Sequence, residues 1–181
     1  MSGITFAEET KIINMQAPVA ISAAAMTTEW ISAKGCSKLT WFLSLGVLSA
    51  DFDDSSISIN VANDANGTKS ATTNTNMDFV LENVWKTGAL PSDTLTKLTV
   101  DNTTSSMDSV ALTSASDGRI FIVEVDCSKL GTFTSTSVSY DADYVRLAVP
   151  SAGASGAAVV SCFCIASGLR YKSDSPPTAI T

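Results

Sequence analysis

Residues 56 to 62, Ser-Ile-Ser-Ile-Asn-Val-Ala, alternate strictly between polar and apolar, and a two-residue period of this kind puts successive side chains on opposite faces of a strand. Similar short runs recur along the chain, separated by clusters of Gly, Asn, Asp and Ser. Nowhere does a helical period persist over more than about three turns. Ser and Thr together make up roughly a quarter of the residues, well above ordinary usage. Thr suits a pleated surface and Ser suits turns, so they replace the Lys and Glu of a helical surface. The pattern predicts an all-β fold, a sandwich or a barrel.

Individual strands can be placed. Residues 10–15 (TKIINM) and 17–22 (APVAIS) read as extended, and Trp30-Ile31-Ser32 as a short strand ahead of a Lys34-Gly35 turn. The run Lys38–Leu48 is apolar on both faces near its centre, as expected of a strand covered from both sides. In residues 56–62, Ile57, Ile59 and Val61 form one face, and Ser58 and Asn60 form a wet one. This strand leads into Asn66-Gly67, a pair that takes positive φ at low cost and predicts a hairpin turn. Phe79, Leu81 and Trp85 mark a further strand or short helical turn, followed by a loop from Gly88 to Asp93. Residues 95–100 and 109–112 are predicted strands flanking a polar stretch, 101–108, that suits a hairpin loop. Residues 119–126 and 144–149 are strong strand patterns, the second ended by Pro150. After the loop 151–156, residues 157–167 close the set. Eight or more strands predict a two-sheet β-sandwich of the jelly-roll type.

A chain of 181 residues suits one well-buried domain, and neither an internal repeat nor a charged or Pro-rich linker marks a second. We therefore expect a single domain over residues 1–181, with an N-terminal arm at about 1–16 and an extended C-terminal tail at about 170–181 that holds Pro176-Pro177. Net charge is −7 and the few Lys and Arg are scattered singly, which argues against a nucleic-acid partner. Met1-Ser2-Gly3-Ile4 opens neither a basic nor an apolar signal region, and no apolar run approaches a membrane span. The expectation is a protein made in a cytosol, without a membrane partner, whose cysteines (Cys36, Cys127, Cys162, Cys164) stay reduced as small buried hydrophobes.

The chain has no histidine, which removes the usual neutral-pH general base and the commonest metal ligand. Cys162-Phe163-Cys164 does not have the spacing of a zinc ribbon, and Gly153-Ala154-Ser155-Gly156 is one residue short of a nucleophile elbow. Ser37-Lys38 and Ser128-Lys129 are adjacent pairs whose side chains point to opposite faces in a strand, so turn chemistry explains them better than a catalytic dyad. Asp51, Asp53 and Asp54, and Asp141 with Asp143, are read as polar loop residues at strand ends rather than a glycosidase pair or a calcium site, since neither group follows the spacing of a calcium loop, although calcium is the best of the other options; no Gly-rich phosphate loop is present. No enzyme activity, cofactor or metal is expected. Trp41 lies in an apolar run and is assigned to the core, whereas Trp30 and Trp85 have polar neighbours and are expected to be half exposed, as candidates for an interface.

Several segments carry a family resemblance. They are Phe121-Ile122-Val123-Glu124-Val125-Asp126 with Leu130, then Val145-Arg146-Leu147, then Ser167-Gly168-Leu169-Arg170-Tyr171 followed by Pro177-Thr178-Ala179-Ile180. Upstream, Glu8-Glu9-Thr10-Lys11-Ile12-Ile13-Asn14 with Ala17-Pro18, Ile57-Ser58-Ile59-Asn60 with Ala65-Asn66-Gly67-Thr68, and Ser92-Asp93-Thr94-Leu95 extend it over nearly the whole chain. In order and spacing these segments resemble a family of small head proteins encoded beside the major capsid protein in tailed bacteriophages and prophages. Cys127 stands where Ala is expected and Leu169 where Pro is common. The resemblance implies a capsid cement or decoration protein on the virion surface, bound at symmetry axes between capsomers as a trimer or dimer, with the major capsid protein and itself as partners. Candidate contact residues are Trp30, Trp85, Arg170, Tyr171, Pro176, Pro177 and Ile180, with both arms as contact segments. A head-fibre or tail-tip module that binds host glycan through Trp30, Trp85 or the Asp-rich loops is the alternative, and a depolymerase with paired Asp residues a distant third.

Overall fold

The structure, a computed structural model, describes residues 10–21, 25–48, 56–71, 83–88, 91, 93–98, 109–111, 118–149, 151 and 158–169. Among the described residues, fourteen strands run in chain order: β1 (Thr10–Ile21), β2 (Met26–Thr27), β3 (Ile31–Ser32), β4 (Lys38–Leu48), β5 (Ser56–Ala62), β6 (Ser70–Ala71), β7 (Asn83–Thr87), β8 (Leu95–Leu98), β9 (Ser109–Ala111), β10 (Ile120–Asp126), β11 (Thr132–Ser135), β12 (Val138–Asp141), β13 (Tyr144–Val149) and β14 (Ala158–Ser167). A single 3-10 turn over Cys127–Lys129 is the helical element among the described residues. The all-β expectation holds.

Two antiparallel sheets form the layers of a sandwich. Sheet A has the order β1-β14-β4-β10-β7-β8. Sheet B has the order β2-β13-β5-β6, with β3 also pairing β13 and β9 also pairing β5. A separate ribbon pairs β11 with β12. The jelly-roll expectation concerns how the connections cross, and several of these, including 49–55, 72–82, 99–108 and 112–117, lie outside the described residues. The two predicted strands around 101–108 do not form a hairpin. β8 pairs β7 in sheet A, while β9 pairs β5 in sheet B, so the two belong to different layers.

One core fills the space between the sheets, and strand alternation supplies it. From sheet A come Leu39, Trp41, Leu43 and Leu45 of β4, Phe121, Val123 and Val125 of β10, and Val160, Cys162 and Cys164 of β14. From sheet B come Ile57 and Ile59 of β5 with Val145, Leu147 and Val149 of β13. Register carries the packing across strands: Ile13, Cys164, Trp41, Val123 and Val84 form one continuous cross-strand row on the inner face. Each fully buried aliphatic or aromatic side chain here contributes on the order of 1.5–3 kcal/mol by leaving water.

The segment assigned to an N-terminal arm is in part sheet. Thr10 to Gln16 are hydrogen-bonded to β14, and one strand joins the two extended runs through register shifts on either side of Gln16. Pro18, which lacks a ladder donor, falls at that irregularity on the sheet edge, the position in a sheet where proline is tolerated. The expected hairpin at Asn66-Gly67 forms between β5 and β6, with Gly67 at φ +67°. Its loop is organised by Asp64, whose carboxylate accepts from the backbone N–H of Asn66, Thr68 and Lys69.

Candidate functional site

The outer face of sheet A is where the described surface departs most from an ordinary solvated sheet. Residues in direct register share a face. Asn14 faces Phe163, Phe163 faces Phe42, Phe42 faces Ile122, Ile122 faces Trp85, and Trp85 faces Lys97. The row therefore crosses all six strands, with four apolar residues at its centre and a polar group at each end. The Phe42 and Phe163 rings stack at 4.8 Å between centroids and 7° between planes. Lys97 Nζ lies 5.8 Å from the centre of the Trp85 ring. Phe163 is 40% exposed, and Phe42, Ile122 and Trp85 are half-buried.

Further apolar side chains flank this row on the same face. Ile12, 61% exposed, faces Ile165 on one side. Val159 and Leu95 are exposed on the other, and a Cβ on Gly46 would come within 3.1 Å of Val159 Cβ, so glycine lets that side chain lie against the sheet. The charged pair Lys38–Glu124, 3.3 Å apart, sits beside the row. An apolar, aromatic-rich centre with a polar rim is the composition of a protein–protein contact surface.

Of the sequence-predicted contact residues, Trp85 is on this face. Trp30 is not, and it is not half exposed: it is 7% exposed, on the opposite side of the sandwich. The Arg146 guanidinium lies 4.4 Å from its ring centre, and the Gly67 backbone is so close that a Cβ there would be 2.6 Å from Trp30 Cε2. Burial also holds the Arg146 pKa below its ordinary value. Asn60, the cross-strand neighbour of Arg146, is 3% exposed, so the face of β5 predicted to be wet is covered there. Arg170, Tyr171, Pro176, Pro177 and Ile180 lie outside the described residues, as do Asp51, Asp53, Asp54 and the 152–156 loop.

Phe42, Ile122 and Phe163 belong to the face but are not singled out by the sequence, which leads us to expect strand Lys38–Leu48 to be covered from both sides. The signal was present: Lys38–Leu48 is apolar on both sides. Inward residues Leu39, Trp41, Leu43 and Leu45 are buried, whereas Phe42 and its neighbours face outward without a covering layer among the described residues.

The catalytic motifs that sequence analysis set aside are engaged structurally. Ser37 Oγ donates to Ser167 O, Ser128 Oγ donates to Asp126 at 2.6 Å, and Asp143 pairs with Lys34 at 2.8 Å. Among the described residues, no three His, Cys, Asp or Glu side chains gather as a metal site, and no helix is long and apolar enough to cross a membrane. Cys162 and Cys164 are buried, with burial pushing Cys162 up to about 12 and Cys164 well above its ordinary value. Cys36 and Cys127 are different: both are half-buried, and their Sγ atoms are 3.5 Å apart. Their separation by 91 positions hid this contact in the sequence.

The described residues define a class, an all-β sandwich with an apolar row across the outer face of one sheet. Comparison with protein-family models and with curated proteins yields no match.

Proposed function

We propose that this chain is a non-catalytic structural module, a cement or decoration protein that adds to the outer surface of a tailed-phage capsid lattice. The observation that carries the reading is the apolar row Phe163-Phe42-Ile122-Trp85 across the outer face of sheet A. A lattice protein needs a rigid body and broad shallow contacts, and this row spans the strands of one sheet as a broad apolar surface. Multiplicity strengthens such contacts, because a protomer tethered at several points rebinds at a high effective concentration. The resemblance of its successive segments to phage head proteins supports the same reading, with the major capsid protein and further copies of this chain as the proposed partners. The two arms are proposed to add contacts at the rim.

Cryo-electron microscopy of particles tests this directly. Sandwich-sized density at the lattice axes, with sheet A against a neighbouring subunit, is the expected result. Particles whose heads lack such density would overturn the proposal.

A second reading has a specific observation behind it. Trp85 with Lys97 over its ring also suits stacking on a sugar, which would make the chain a glycan-binding module of a fibre or tail tip. A glycan array separates the two, since a cement protein leaves it blank.

A further inference from the structure

One end of the sandwich carries chemistry that the docking face does not use. Residues 33–37 carry the chain from β3 in sheet B to β4 in sheet A, and the 3-10 turn Cys127–Lys129 takes it away from β10. Cys127 N donates to Ser37 O at 2.9 Å, and Ser37 N donates to Ser167 O at 3.0 Å, so the two crossings are stitched together just past the end of the β4–β10 ladder. At this seam Cys36 Sγ lies 3.5 Å from Cys127 Sγ. Both thiols line a cavity of about 530 Å³, together with Lys34, Ser37, Ser128 and Gly168.

We propose that Cys36 and Cys127 form a redox site, closing to an intramolecular disulfide by exchange with a small disulfide that reaches them through this cavity. The geometry asks for little movement: the sulfurs must close from 3.5 Å to about 2.05 Å. Gly35, at φ +84°, has no heavy atom within 4 Å of the position its Cβ would take, so the turn carrying Cys36 has open space beside it. Cys162 and Cys164 cannot do the same. They sit two residues apart on the inner face of one extended strand, a separation of roughly 7 Å, and both are buried in the core.

The order of events follows from the contacts. Either sulfur can donate in this contact; contact with Cys127 lowers the Cys36 pKa, while contact with Cys36 and burial raise that of Cys127, so Cys36 is assigned as the attacking sulfur. The Cys36 thiolate attacks R–S–S–R, forming a Cys36–S–S–R mixed disulfide and expelling RS⁻. Cys127 then gives up its proton and attacks the Cys36 sulfur, and a second RS⁻ leaves. The two protons released by the protein thiols go to the two leaving thiolates. Two protein thiols are thus oxidised by two electrons, and one small disulfide is reduced to two thiols.

The test is to equilibrate the folded full chain in glutathione buffers of increasing oxidised fraction, quench in acid, unfold, alkylate and map the peptides by mass spectrometry. The expected result is loss of two of the four alkylatable thiols, with the Cys36 peptide joined to the Cys127 peptide, and full recovery on reduction. In C127A the reaction is expected to stop at a glutathione adduct on Cys36. Four alkylatable thiols after oxidation, or a bridge or adduct that uses Cys162 or Cys164, would overturn the proposal. The wild-type map alone decides it, even where C127A fails to fold.

Discussion

Gly67 is held by two constraints at once. Its φ of +67° lies in the left-handed region, and the Trp30 ring occupies the space a side chain would need. Substitution G67A should therefore cost about 2 kcal/mol in urea unfolding and shift Trp30 emission to the red as the ring is displaced. Asp64, a few residues earlier, gives the same loop a pH dependence. Hydrogen bonds from the backbone N–H groups, that of Thr68 foremost, hold its pKa below the ordinary value. A depressed folded pKa means that the contribution is present above the unfolded value, about 3.9, and is lost as pH falls through the folded one. Stability of the wild type should thus fall over this acid range more steeply than that of D64A, as read from unfolding midpoints measured at successive pH values. Parallel curves for the two proteins would contradict that assignment.

At the scale of elements, the ribbon β11–β12 turns through Thr136 and Ser137, with φ of 50° and 64°. Positive φ at both central residues is a type I′ turn, normally written Asn-Gly. Replacing Thr136 by Asn and Ser137 by Gly should raise stability by about 1 kcal/mol, measurable as a higher urea midpoint at unchanged m-value. That turn also shows where the sequence falls silent. β4, β5, β13 and β14 were legible because alternation or an unbroken apolar run marks them. β11 and β12 were not, since their turn chemistry is atypical and their residues are mostly exposed. β2 is two residues long, and its neighbour Thr28 bonds Leu147 through both backbone and hydroxyl, a contact with no local signature. The candidate face was half legible: Trp85 stood out by its polar neighbours, but Phe42 and Phe163 look like core until register places them side by side.

Taken as a whole molecule, the sandwich is asymmetric. The outer side of sheet B is closed around Asn60 by Trp30, Arg146 and the Asp64 loop, whereas the outer side of sheet A presents stacked phenylalanines to solvent. Folding alone does not require that second surface, because Trp41, Leu43 and Phe121 already fill the core beneath it. The two sides should therefore respond differently to mutation. W41A removes a fully buried ring and should cost about 3–5 kcal/mol of folding stability. F163D alters a side chain that is already 40% exposed and should cost the isolated protein less than about 1 kcal/mol. In binding the order reverses: a central aromatic of a contact surface carries about 2 kcal/mol, roughly thirtyfold in affinity, and an aspartate there would leave a charge buried without a partner. On the proposed cement role, the affinity of F163D for particles, titrated against wild type with unfolding curves run in parallel, should drop by about that factor while the fold persists. Equal affinity of F163D and wild type would remove sheet A from the proposed contact.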